Sequence, residues 1–159
     1  MTVIAYDGRY VAGDTLIVND GGLRNSCGKL RIWETQVLAT TGAADHGEAL
    51  VIWFKDGKKP AAFPNVVGSQ KDGSLYVFEY GKPIMCFQTY PAPIIFTGEE
   101  FACGSGGEIA RAALHLGRDA RQAVDAAIEL NVYCGGDIEY IDLRKLAETG
   151  SATVMCYDD

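Results

Sequence analysis

Apolar and polar positions along the chain group into many short runs and a few longer periodic ones. Thr2 to Tyr6 and Arg9 to Asp14 are two such runs around Asp7-Gly8. Asp-Gly between apolar runs is the strongest short hairpin signal, because both central residues of a type I′ turn need positive φ. The chain therefore starts inside a sheet. A second hairpin is predicted from Lys29-Leu30-Arg31-Ile32-Trp33 and Gln36-Val37-Leu38-Ala39-Thr40, joined by Glu34-Thr35. Helical spacing follows in Ala49, Leu50, Ile52, Trp53 and Phe54, with Asp45 as the expected cap and Asp56-Gly57 as the stop.

Lys58 to Pro64 carries two prolines and reads as a loop. Strands are predicted again at Val66-Val67, Leu75 to Tyr80, Ile84 to Phe87 and Ile94 to Phe96, with turns at Asp72-Gly73 and Gly81-Lys82. Two helices come next, Glu108 to Leu116 and Ala120 to Leu130 behind Asp119; Ala120, Ala123, Val124, Ala127 and Ile128 keep helical spacing. Ile138 to Ile141 and Thr153 to Cys156 are expected to close the fold as strands. The order is strands, a helix, strands, two helices, strands, without repeat or long linker. It predicts one α+β domain over residues 1–159, with two sheets stacked between helix layers or another α+β sandwich.

Composition narrows the function classes. A net charge of -7 and a longest basic run of Lys58-Lys59 disfavour nucleic acid as a partner. No run approaches the roughly 20 apolar residues of a membrane span, and the first residues lack the features of a secretory signal. A cytoplasmic protein is expected. Its five cysteines, Cys27, Cys86, Cys103, Cys134 and Cys156, show no CxxC spacing and read as reduced thiols. With only His46 and His115 as imidazoles, neither a metal nor another cofactor is expected.

Several short motifs occur in a telling order. They are Thr2-Val3-Ile4-Ala5, Ala12-Gly13-Asp14, Gly28-Lys29-Leu30, Thr41-Gly42-Ala43-Ala44-Asp45, Gly104-Ser105-Gly106 and Cys134-Gly135-Gly136. In this order the chain resembles the β subunits of proteasomes and, more closely in length, the HslV-type bacterial peptidase and related phage-encoded proteins. The resemblance implies a four-layer αββα sandwich of two antiparallel sheets flanked by helices. It also implies a threonine peptidase whose nucleophile is Thr2 once Met1 is removed.

The chemistry fits that implication. A threonine hydroxyl needs a base within hydrogen-bond reach, and an amino-terminal threonine carries one, since an α-amine has a reference pKa of roughly 7.7–8.0. By the resemblance, Lys29 is the cation beside the hydroxyl and Asp14 holds Lys29. The Gly42 backbone N–H receives the oxyanion, although alignment through Ala43-Ala44-Asp45 puts that donor at Thr41. Ser105 hydrogen-bonds the amine. Asn131 stands where the family usually has Asp, and Cys134 where it usually has Ser, so no charge is available there to favour an ammonium. The implied partners are a peptide or unfolded protein substrate, further copies of the chain in a ring, and an ATP-dependent unfoldase.

Other readings use the same residues. Without the family, Asp14 is a turn residue and Lys29 a solvated strand residue. The glycines around Ser105 precede a helix, as in phosphate-binding loops, but Ile109 stands where GxGxxG needs its third glycine. An amidase or a catalytically silent ring protein could share the fold. A cysteine hydrolase built from Cys27 or Cys103 with His46 or His115 has no supporting local motif.

Overall fold

A computed structural model describes residues 1–65 and 72–157. The first hairpin pairs β1 (Val3–Tyr6) with β2 (Tyr10–Asp14), Ala5 facing Ala12. Two three-residue strands, β3 (Leu16–Val18) and β4 (Arg24–Ser26), form a small ribbon of their own. The second predicted hairpin is β5 (Leu30–Trp33) with β6 (Gln36–Gly42). Helix α1 (Ala44–Lys55) follows at once.

Strands β7 (Gly73–Glu79), β8 (Ile84–Phe87) and β9 (Ile94–Phe96) extend this sheet to the order β5-β6-β7-β8-β9. The chain then enters β10 (Phe101–Gly104), α2 (Gly107–His115) and α3 (Ala120–Leu130). It ends in β11 (Ile138–Asp142), α4 (Leu143–Thr149) and β12 (Met155–Tyr157). These complete the other large sheet, β10-β1-β2-β11-β12. The described residues thus form an α+β fold of three antiparallel sheets and four α-helices.

Alternation explains how these elements pack. Val3 and Ala5 point from β1 into a core with Leu114, Val124 and Ala127 of α2 and α3. Ile4 and Tyr6 point the other way, into a core with Val37, Ala39 and Phe78 of the second sheet. A strand covered on both faces must be apolar throughout, and the sequence Val3-Ile4-Ala5-Tyr6 meets that requirement. A third core joins Leu50, Val51 and Phe54 of α1 to Leu38 and Val77.

Several local expectations need correction. Asp45 lies in the first turn of α1, while the capping position is Ala43, which has no side-chain oxygen. Asp45 instead accepts from the His46 N–H at 2.8 Å. A short 3-10 turn (Pro60–Ala62) lies within the expected loop, and Gly73 belongs to a strand. The strand expected at Val66-Val67 lies outside the described residues. Asp119 caps α3 as expected, accepting from the Gln122 N–H in a full capping box.

Asp142 joins two elements at once. It accepts from Lys145 N–H at the start of α4 and from the Arg9 guanidinium, at 3.1 and 2.7 Å. The Arg9 hydrogen bonds hold its carboxyl below the usual carboxylate range, against the opposing effect of burial. A lowered folded value means stabilisation in force above the ordinary pKa and lost as pH falls through the folded one. Asp142→Ala is therefore expected to cost about 1–2 kcal/mol at neutral pH. Urea titrations of both proteins should show that gap narrowing below a pH of about 4.

Candidate functional site around Thr2

The site forms where the two large sheets meet at the amino end of β1. Asp14 ends β2 of one sheet, and Lys29 immediately precedes β5 of the other. Their ion pair, Lys29 Nζ to Asp14 Oδ1 at 2.6 Å, is buried. A buried carboxylate is tolerated only when its oxygens are satisfied. Here Oδ1 also accepts from Val3 N–H at 3.0 Å, and Oδ2 from Gly135 N–H at 3.1 Å. Asp14 thus ties β1, Lys29 and the Cys134-Gly135-Gly136 segment together.

Thr2 is buried beside this pair. Met1 is attached, so its nitrogen is an amide; that N–H donates to Ser105 Oγ at 3.0 Å. Thr2 Oγ1 donates to the Met1 carbonyl oxygen. Lys29 Nζ donates to the same oxygen at 3.4 Å. Hydroxyl and ammonium therefore converge on one acceptor.

Ser105 stands in the turn between β10 and α2, where its hydroxyl also donates to the Thr2 carbonyl at 3.2 Å. The turn lies so close that a Cβ on Gly104 would sit 2.2 Å from the Thr2 carbonyl oxygen, and its φ is +87°. Only glycine fits both conditions. Asn131 closes α3 and donates from Nδ2 to the Ser105 carbonyl at 2.8 Å. Its Oδ1 accepts from Tyr133 N–H at 2.8 Å. Both ends of this amide hold backbone, so Asn131 positions the serine turn from behind. Cys134 Sγ is 3.9 Å from Ser105 Oγ. Burial, reinforced by Asp14, pushes the Cys134 thiol up.

Gly42 ends β6 with φ +77°, and a Cβ there would meet the Asp72 carbonyl oxygen at 2.4 Å. Thr40 N–H donates to the Lys29 carbonyl at 3.4 Å, and Ala43 N–H to that of Asp72 at 3.3 Å. Because N–H groups alternate sides along a strand, the Gly42 N–H is aimed to the Lys29 side and the Thr41 N–H away from it. Thr2, Lys29 and Gly42 all border one cleft of about 140 Å³.

No family model matches the chain, and no curated protein matches it. Solved structures do. The Anbu (Gly-1) mutant from Hyphomicrobium sp. strain MC1 matches with a TM-score of 0.65 at 16% identity, over 99% of this chain and 88% of that one. Thiobacillus denitrificans BPH in complex with epoxomicin matches with a TM-score of 0.63 at 19% identity, over 100% of both chains. The chain shares the fold of these two structures.

Within this fold Cys27 borders the same cleft as Thr2, while Cys103 is poorly suited as a nucleophile. Cys103 and His115 border a larger cavity of about 630 Å³, but burial raises the Cys103 thiol far above its ordinary value, against the opposing hydrogen bond with Tyr76. A nucleophilic thiol needs the opposite shift. The His46 ring meets Gly73 N–H at 2.8 Å and the Pro64 carbonyl at 3.3 Å. No helix among the described residues is long and apolar enough to cross a membrane.

Sequence reasoning missed Glu139, which accepts from Lys29 N–H at 3.3 Å. It also missed Arg31 and Glu48, both at the cleft. A signal existed for Arg31, since residues two apart on a strand share a face and Arg31 follows Lys29 by two.

Proposed function

We propose that the chain is a threonine peptidase of the short HslV-like kind, cutting peptide bonds through an acyl-enzyme at Thr2 after loss of Met1. The observation that carries this reading is the convergence of Thr2 Oγ1 and Lys29 Nζ on one carbonyl oxygen, with Ser105 on the Thr2 nitrogen. Once Met1 is gone, that nitrogen is an amine. It takes the proton from Thr2 Oγ1 as the oxygen attacks the substrate carbonyl carbon. Lys29 stabilises the developing alkoxide, and Asp14 holds Lys29 in position.

The oxyanion points to the Gly42 N–H. Collapse expels the amine half of the substrate with the proton from the Thr2 ammonium, and water then releases the acyl half by the same route. The three apolar cores support the four-layer αββα reading of the fold. A ring of identical chains in the cytoplasm, fed with unfolded protein by an ATP-dependent unfoldase, would confine this chemistry.

Epoxomicin, bound in the Thiobacillus structure, supplies the test. Purified chain lacking Met1 is expected to gain the mass of one epoxomicin, on the peptide that begins with Thr2. A fully trimmed, folded chain that gains no mass would sink the peptidase reading. It would favour instead a silent ring protein, to which the departures at Asn131 and Cys134 also point.

A further inference from the structure

The cleft beside Thr2 has a composition that limits what can enter it. Its walls include Ile17, Cys27, Thr40, Ala44, Arg31 and Glu48. Arg31 and Lys29 share a strand face, and Ala44 and Glu48 are one helical turn apart on α1, so a single side of each element lines the space. With Met1, which also borders it, in place, its volume is about 140 Å³, that of roughly four to five waters at ~30 Å³ each. That suits a side chain such as leucine or glutamine.

Charge is the second limit. Arg31 Nη2 donates to Glu48 Oε2 at 2.7 Å, and Nη1 to the Gly28 carbonyl at 3.2 Å. Lys29, also in the wall, is paired with Asp14 behind it, so each charge in the cleft wall has a countercharge. A lysine or arginine entering meets Arg31 as a like charge, and an aspartate or glutamate meets Glu48. Either must break the pair or lose its own hydration uncompensated. An uncharged side chain meets neither cost.

We propose that the Arg31–Glu48 pair makes this pocket electrically neutral, so that the enzyme cleaves after uncharged residues of about leucine or glutamine size. The proposal rests on the peptidase reading, because the pocket borders both Thr2 and Gly42, between which the attacked carbonyl lies. Neither partner is deeply buried, with side chains 30% and 48% exposed. Such pairs contribute little to stability, so removing one partner should change selectivity and leave the fold.

Four coumarin-amide peptides, differing only in Leu, Gln, Lys or Glu before the cleaved bond, test this on wild type, Arg31→Met and Glu48→Gln. Wild-type kcat/KM for Leu and Gln is expected to exceed that for Lys and Glu by at least about tenfold. Arg31→Met should raise the Lys/Leu ratio about tenfold or more, and Glu48→Gln the Glu/Leu ratio by a similar factor. Wild type that cleaves after charged residues as fast as after Leu, or variants that keep wild-type ratios, would overturn the proposal. Each protein is first titrated with epoxomicin. No adduct on any of them overturns the peptidase reading and this inference with it, whereas full adduct with unchanged ratios overturns the neutral pocket alone.

Discussion

A chain with one alanine inserted between Met1 and Thr2 folds like wild type and turns over no peptide. The inserted residue, left in place after methionine removal, keeps the Thr2 nitrogen an amide. An amide has no lone pair for a proton, and loss of the general base alone costs about 10²–10⁴-fold. The carbonyl of the preceding residue adds a second block, since it takes both the Thr2 hydroxyl and the Lys29 ammonium as donors. Rates should fall at least about a thousandfold, and epoxomicin should add no mass. Thr2→Ala should match it in both respects. Met1 is 46% exposed, so the melting temperature should stay near that of wild type. Turnover within a factor of about ten of wild type would show that the free amine is not the base.

Lys29→Met is expected to lose a comparable share of activity by another route. Its ammonium shares an acceptor with the Thr2 hydroxyl and so stands beside the developing alkoxide; removal of one such stabilising group costs about 10²–10³ in kcat. The variant also leaves Asp14 buried without its countercharge, which destabilises by about 3–5 kcal/mol. Inactivity alone would therefore be ambiguous. Asp14→Asn combined with Lys29→Met removes the stranded charge, while an Asn side chain can still accept from Val3 or Gly135 N–H. That double variant should recover most of the stability and none of the activity. Recovery of peptide turnover with stability would assign Lys29 a structural role only.

The sequence announced the elements that obey one periodicity and hid those that obey none. Both hairpins were legible because Asp7-Gly8 and Glu34-Thr35 separate runs whose two faces both needed burial. Helix α3 was legible because Asp119 caps an alanine-rich stripe. Strands β3 and β4 were not, for Arg24-Asn25-Ser26 is exposed and polar and exists as a strand only through its partner Leu16-Ile17-Val18. Strand β10 is held by its pairing with β1; Ala102 and Gly104 carry little pattern of their own. Helix α4 begins directly where β11 stops, with Asp142 serving as strand end and cap together.

For the site, order along the chain suggested which residues to bring together, and the structure sets Thr2, Lys29 and Gly42 at one cleft, with Ser105 on the Thr2 nitrogen and Asp14 on Lys29. Asn131 is different. Its sequence neighbours suggested a place near the amine, but which backbone groups its amide holds depends on the fold of a loop between α3 and β11. The cleft walls were equally hidden, because Arg31 and Glu48 meet only when β5 packs beside α1.

The position of β1 between β10 and β2 has a consequence in time. Synthesis delivers Thr2 early, and the serine that holds its nitrogen arrives 103 residues later. Gly135, which fixes Asp14, lies 121 residues beyond that aspartate. A growing chain on the ribosome therefore carries Thr2 without the turn that holds it. The surroundings of Thr2 are therefore completed only by residues made long after it.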